Sequence, residues 1–153
     1  MDRELRQVSR YLNEGKVKAA KDLLRPLLTG HRDDPHVCCF AARLHILTGD
    51  FLQAKRLAEE ACARDDNLLE ARYLQAYCHM RLEEYPEAVS AYRRIIAKNP
   101  HSAVAHLFLA DCLSKIGKKE DAIENLLEAS RLDSDGDIRE LAQGTILSLK
   151  ESL

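Results

Sequence analysis

Tyr85-Pro86-Glu87-Ala88-Val89-Ser90-Ala91-Tyr92, brought to a stop further on by Asn99-Pro100, is the stretch that decides the fold. Ala88, Val89, Tyr92, Ile95 and Ile96 recur at the spacing of one face of an α-helix. Ala88 is in turn one of four alanines, Ala20, Ala54, Ala88 and Ala122, set 34 residues apart. Five residues before each stands a loop signal: Gly15, Gly49, Glu83 and Gly117. A fixed period of that length marks an array of small structural units, so the search for function moves from catalytic motifs to surfaces.

Rows beginning at Met1, Pro35, Leu69 and Ala103 each predict two helices. In the first helix of the third row, Leu74, Tyr77, Cys78 and Arg81 follow one face. The loop signals fall within rows and the cap signals between them. Asp34-Pro35 supplies an N-cap acceptor followed by a proline at the first helical position, where its missing N–H costs nothing. Asn99-Pro100-His101-Ser102 ends one helix and caps the next, while Asn67 with Glu70 and Asp137 with Glu140 have the spacing of a capping box. Pro26 falls inside the second helix of the first row and predicts a bend there costing roughly 3 kcal/mol, with a first repeat less regular than the others.

With these residues in place the chain resembles the tetratricopeptide repeat family. The third row carries the resemblance best: Ala76 at the family's glycine position, Tyr85-Pro86-Glu87-Ala88 at the turn into the second helix, Tyr92 at the aromatic position and Pro100 at the proline position. The fourth row offers Leu109-Ala110, Leu113, Ala122, Leu126 and Ala129. Small residues at the eighth and twentieth positions let paired helices approach; Val8 departs from this, and the bulky fourth position holds Glu4, Cys38, Arg72 and His106. The resemblance implies an all-α, right-handed solenoid of antiparallel helix pairs in a single domain over 1–153. Its repeats lie at about 1–34, 35–68, 69–102 and 103–136, and a terminal capping helix over 137–150.

Composition fits such an array: 46% hydrophobic and 31% charged residues exclude a disordered or fibrous chain. A net charge of −2 gives no concentrated basic face for phosphate, so no nucleic-acid partner is expected. The basic cluster from Lys115 to Lys119 reads as a solvated turn. No apolar run approaches a membrane span, the N-terminal Met1-Asp2-Arg3-Glu4-Leu5-Arg6 lacks the apolar core of a signal peptide, and the expected location is the cytoplasm.

Five cysteines, the adjacent Cys38 and Cys39 and the separate Cys62, Cys78 and Cys112, show no C-x-x-C spacing and read as packed free thiols. Cys78 and Cys112 share the tenth position of successive rows, a packing position. The six histidines form no ligand motif, so neither metal nor cofactor is expected. No nucleophile elbow, phosphate loop or dinucleotide fingerprint occurs, and the carboxylates scatter along solvent-facing surfaces; no catalytic residue is expected.

The resemblance then implies a concave groove lined by the first helix of each repeat. Its candidate partner-binding residues are Arg43, Leu47, Tyr73, Tyr77, Met80, Arg81, Leu107, Asp111 and Lys115, with Cys39, Glu70 and the first row's Asn13 at further groove positions. Tyr73, Tyr77, Met80, Leu47 and Leu107 are the expected anchors, and Arg43, Arg81, Asp111 and Lys115 the orienting charges; Tyr and Arg are the types that dominate interfaces, and Met adapts its shape. The carboxylate clamp with which some family members hold acidic chaperone tails is missing, since its first Lys/Asn pair is represented here by Leu5/Ser9, Cys39/Arg43, Tyr73/Tyr77 and Leu107/Asp111. The expected ligand is therefore an apolar or aromatic segment, extended or as an amphipathic helix.

The far end keeps a second reading open. In the terminal helix Ile138, Leu141, Ala142, Ile146 and Leu149 are expected to cover the last repeat, while Gly144 and Leu147 face where another repeat would pack. That seam reads as a join to more of an array or to another molecule, giving a homo-oligomer through the C-terminal helix, or as a single exposed leucine. The functional expectation is a non-catalytic protein-interaction module or adaptor; the alternatives are a self-assembling scaffold unit and a regulatory repeat domain of a larger protein.

Overall fold

A computed structural model describes all 153 residues as nine α-helices and no strand. They are α1 (Asp2–Asn13), α2 (Val17–Gly30), α3 (Pro35–Leu47), α4 (Phe51–Arg64), α5 (Leu69–Arg81), α6 (Tyr85–Lys98), α7 (Ala103–Lys115), α8 (Lys119–Leu132) and α9 (Asp137–Glu151). The starts at Pro35, Leu69, Ala103 and Asp137 keep the 34-residue step, as do those at Val17, Phe51, Tyr85 and Lys119. The chain divides into two compact units, Met1–Leu82 with α1 to α5 and Glu83–Leu153 with α6 to α9.

In the first unit α1 packs on α2 and α3, and α3 packs on α2, α4 and α5. Leu5, Val8, Leu12, Leu24, Val37 and Leu44 share one core with Ala20. Ala42, Ala54 and Cys78 form another, and Cys38, Cys39, Ala61 and Ala71 a third. Alanine at these crossings allows helix axes to come within about 8 Å. Burying a leucine such as Leu24, which is fully covered, contributes about 1.5–3 kcal/mol.

In the second unit α7 packs on α6, α8 and α9, and α8 on α9. Tyr92, Ile95, Leu113 and Leu126 are its large buried side chains, with the Tyr92 ring 5.8 Å from that of Phe108. On α9, Ala142, Ile146 and Leu149 are buried as expected and Ile138 is half-buried. Leu141 instead is 58% exposed, because it lies about 100° round the helix from Ala142.

The turns within pairs explain the loop signals. Gly15, Gly49 and Gly117 have φ of 68°, 81° and 83°, and Glu83 has φ of 60° in the matching place. Around the glycines the backbone closes the preceding helix with paired bonds, Lys16 N–H to Tyr11 O, Asp50 N–H to His45 O and Lys118 N–H to Leu113 O, at 2.8 to 2.9 Å. This is the Schellman closure, and its left-handed residue is strained when it carries a Cβ.

Between pairs, Asp34 accepts from the His36 N–H at 2.8 Å ahead of Pro35, and Ser102 accepts from the Ala105 N–H at 3.2 Å. The two expected capping boxes are different in structure. Leu68, not Asn67, is the N-cap of α5 and supplies no side-chain bond; Asp65 instead accepts the Asn67 N–H at 3.0 Å. At α9 the cap comes from further back, with Asp133 Oδ2 accepting the Arg139 N–H at 2.9 Å. Those backbone bonds, the Arg139 N–H first, hold the Asp133 carboxyl below its ordinary value.

The unusual fourth position also acquires a reason. Cys38 Sγ–H donates to Arg32 O at 3.6 Å, Arg72 Nε–H to Asp66 O at 2.8 Å, and His106 Nε2 lies 3.2 Å from Pro100 O. Each reaches the carbonyl six residues earlier, so three chemically unlike side chains satisfy the same inter-pair loop in place of a large apolar plug. Pro26 does not break α2, which runs unbroken from Val17 to Gly30; it is exposed, so the carbonyl of Asp22 that loses its partner sits on a solvent-facing surface.

Replacing Glu83 by Gly is expected to raise stability by about 0.5–1 kcal/mol, and Gly49→Ala to lower it by about 1 kcal/mol, read as melting shifts of opposite sign. A Cβ at Gly49 would meet nothing within 4 Å, so the loss would come from its φ alone. Asp133 has a lowered folded pKa, so its contribution is present above its ordinary pKa of 3.8 and is lost as pH falls through the folded value. Asp133→Asn is thus expected to melt below wild type at pH 7, with the gap closing in acid.

Candidate functional site

The sequence-derived groove positions fall in two sets, Arg43, Leu47, Tyr73, Tyr77, Met80 and Arg81 in the first unit and Leu107, Asp111 and Lys115 in the second. In the first unit α3 and α5 pack side by side, which sets their outward side chains next to one another. Arg43 is the hub of one end: its Nη2 donates to Asn13 Oδ1 of α1 at 2.8 Å, its Nη1 lies 3.9 Å from Glu70 Oε1 of α5, and its guanidinium stands 5.4 Å from the Phe40 ring centroid. One planar cation therefore joins three helices through a hydrogen bond and an ion pair.

The other end is aromatic. The Arg81 guanidinium lies 4.5 Å above the Phe51 ring centroid and donates to the Tyr77 hydroxyl at 3.0 Å. Phe51 and Tyr77 meet edge to face at 6.5 Å. These contacts hold an exposed arginine in one orientation, since cation–π and aromatic pairs of this kind contribute about 0.5–1.5 kcal/mol each. Leu47 is 49% exposed, and Tyr73 and Tyr77 are half-buried. Met80 differs from expectation: only 9% of it is exposed, so it packs into the protein and offers little to a partner. Cys39, also placed by register in the groove, is fully buried.

Phe51 is the residue that register did not point to. It opens α4, a second helix of its pair, whereas the family groove is lined by first helices. Its signal in the sequence was its place directly after the Gly49-Asp50 turn, which lets the first residue of α4 reach the face of α5.

In the second unit Leu107 and Asp111 line a cleft of about 260 Å³, which Leu141 and Thr145 of α9 border from the other side. That position accounts for the exposure of Leu141. Lys115 is exposed at the end of α7.

The thiols are chemically quiet. Burial pushes Cys39, Cys78 and Cys112 up to about 12 and also raises Cys38 and Cys62. At neutral pH they are thiols and not thiolates, and serve as packing. No group of three or more His, Cys, Asp or Glu side chains is gathered as a metal-ligand set. No helix is long and apolar enough to cross a membrane.

Residues 48–129, more than half of the chain, match the family described as anaphase-promoting complex, cyclosome, subunit 3. The chain belongs to that tetratricopeptide-like family. Solved structures of the same fold include a thermophilic tetratricopeptide protein, TTC0263, from Thermus thermophilus, at 21% identity and a TM-score of 0.81 over 99% of this chain and 81% of that one. MamA from Desulfovibrio magneticus RS-1 superposes with a TM-score of 0.77 at 18% identity over 99% and 95% of the two chains. The Yersinia enterocolitica type III secretion chaperone SycD, solved with a peptide of the translocator YopD, reaches a TM-score of 0.70 at 17% identity over 75% and 91%. No curated protein sequence matches. The tetratricopeptide-like repeat thus provides the frame, and the residues set on it are this chain's own.

The folded protein is expected to react slowly with iodoacetamide at pH 7.5, and all five cysteines to react once it is denatured. Rapid native labelling of Cys39, Cys78 or Cys112 would contradict their burial.

Proposed function

We propose that this chain is a non-catalytic protein-interaction module that holds a peptide segment or amphipathic helix of a partner against the α3–α5 face of its first unit. The observation that carries the reading is the fixed Arg81–Phe51–Tyr77 stack, built on α5 with Phe51 reaching in from α4, beside the exposed Leu47 and the tethered Arg43 of the neighbouring α3. Oriented aromatic and guanidinium groups lose little entropy when a partner arrives, which suits them as anchors. Apolar contact with Leu47, Tyr73 and Tyr77 supplies affinity, while Arg43 and Arg81 select partner carbonyls or carboxylates and fix direction. SycD, a protein of the same fold, was solved holding a peptide, which supports peptide capture as a use of this frame. Leu107, Asp111 and Lys115 of the second unit are proposed to contact the same class of ligand, and the working location is proposed to be the cytoplasm.

A second reading, self-association through α9, is favoured by one observation: Leu147 is 64% exposed and Leu141 58% exposed on that helix. Sedimentation of wild type and Leu147→Glu decides it, since self-association through α9 requires a larger species that the substitution removes.

Affinity capture with wild type and the Tyr73→Ala/Tyr77→Ala double variant, followed by titration of the retained protein, tests the main reading. Loss of two interface anchors at about 2 kcal/mol apiece is expected to weaken binding by on the order of 1,000-fold without changing oligomeric state. Equal affinity for both proteins would remove the α3–α5 face from the account.

A further inference from the structure

The opposite side of α3 carries a second feature, lying wholly within the first unit. α2 and α4 both pack on α3 and leave between them a cleft of about 500 Å³. Its floor is apolar, with Leu24, Ala41 and Leu44 buried and Leu28 and Leu57 half-buried along its walls. Its rim is basic: Lys21, Arg25, Arg32 and Arg56 line it, against the single carboxylate of Glu60. Glu60 is already engaged by Arg64 at 3.6 Å, and Lys21, Arg25 and Arg32 make no ion pair. Uncompensated cations around an apolar trough are complementary to a ligand that is apolar on one side and acidic on the other.

We propose that this cleft is a second docking surface whose occupant is an acidic amphipathic helix presented by a partner protein. The length of the trough favours a helix: its lining runs along α2 from Val17 to Thr29, about 18 Å, or more than three helical turns. Leucine-type side chains at i, i+3 or i+4, and i+7 of such a helix would enter between Leu28 and Leu57, with its carboxylates beside Lys21, Arg25 and Arg56. A volume of this size is ample for a row of such anchors.

The repeat frame alone does not produce the feature. Two periods further along the chain, Leu24 and Ala41 are replaced by the larger Tyr92 and Leu109, while Gln53 and Arg56 become Asp121 and Glu124. The second unit therefore puts bulk where the first has a trough, and of the rim bases Lys21, Arg25, Arg32 and Arg56 its counterparts Val89, Arg93, Pro100 and Glu124 keep only one positive charge. Ala41 and His45 face the cleft, whereas Arg43 lies about 200° round α3 from either of them, on the α3–α5 face. The two surfaces are thus separate on the same helix, and a protein using both would bridge two partners. The cleft stands independently of the reading given for the α3–α5 face.

The test uses the full chain and a fluorescein-labelled synthetic 16-residue helix with leucines at i, i+3, i+7 and i+10 and glutamates on its other face. A second peptide has lysine in place of glutamate. Anisotropy titrations are run at about 50 and 300 mM salt. The acidic helix is expected to bind and the basic one not. Affinity should fall about tenfold or more in Lys21→Glu/Arg25→Glu and at the higher salt, while Arg93→Glu/Arg94→Glu, an equal charge change on exposed residues of α6, leaves it unchanged. Circular dichroism confirms that both variants are folded. Equal binding of the two peptides, or an equal loss in both variants, overturns the proposal. So does laurate binding that needs Lys21 and Arg25 when the acidic helix does not bind, which would assign the trough to a small amphiphile. A wild-type dimer abolished by Lys21→Glu/Arg25→Glu would assign it to a second copy and overturn it too.

Discussion

Everything in this protein hangs on how closely its paired helices can approach. Ala20, Ala54, Ala88 and Ala122 are all fully buried, and Ala42 and Ala76 share that condition in the first helices. Ala42 and Ala54 meet in one cluster with Cys78, so the fully buried side chains at that crossing are all small. A larger residue at such a crossing would force side chains off their rotamers or move the backbone, typically at about 1–3 kcal/mol. The 34-residue period is therefore a steric requirement repeated along the chain. Because it uses so few positions, it leaves the outward ones free to carry recognition.

That freedom appears on α3. Its Arg43 and Leu47 belong to a face shared with α5, where a guanidinium is tethered and an aromatic stack is fixed in place, the surface proposed to take the ligand. Its Ala41 and Leu44 belong to the floor of a basic-rimmed trough between α2 and α4. One helix thus supports two surfaces of different chemistry, the first mixed aromatic and polar, the second apolar with uncompensated positive charge. Burial keeps the Cys39, Cys78 and Cys112 thiols protonated at neutral pH, so they add packing and not charge beside these surfaces.

The fold was legible because its determinants are local and periodic: glycine at positive φ, alanine at crossings, proline and serine at helix starts. The capping boxes were misread for a definite reason. Asn67 has the right spacing to Glu70, but Asp65 takes its N–H and the helix begins one residue later; at α9 the cap is Asp133, too far upstream for any local pattern. The fourth-position side chains looked like departures because Cys38, Arg72 and His106 share no chemistry, only a common bond to the carbonyl six residues back. At the site, register located Arg43, Leu47, Tyr77 and Arg81 on outward faces. It did not reveal that Met80 is buried or that Phe51 crosses from α4 to complete the stack. Both depend on neighbouring helices, which a one-dimensional period does not record. The trough was invisible for the same reason, being defined by the space between two helices that flank a third.

Amide hydrogen exchange on the chain with and without its captured partner tests the central claim most directly, because it reports every helix at once. The account predicts that slowing of exchange on binding is concentrated in α3, α5 and the first turn of α4, around Arg43, Leu47, Tyr73, Tyr77, Arg81 and Phe51. Slowing confined to α9, with α3 and α5 unchanged, would contradict it and place the interaction at the C-terminal helix.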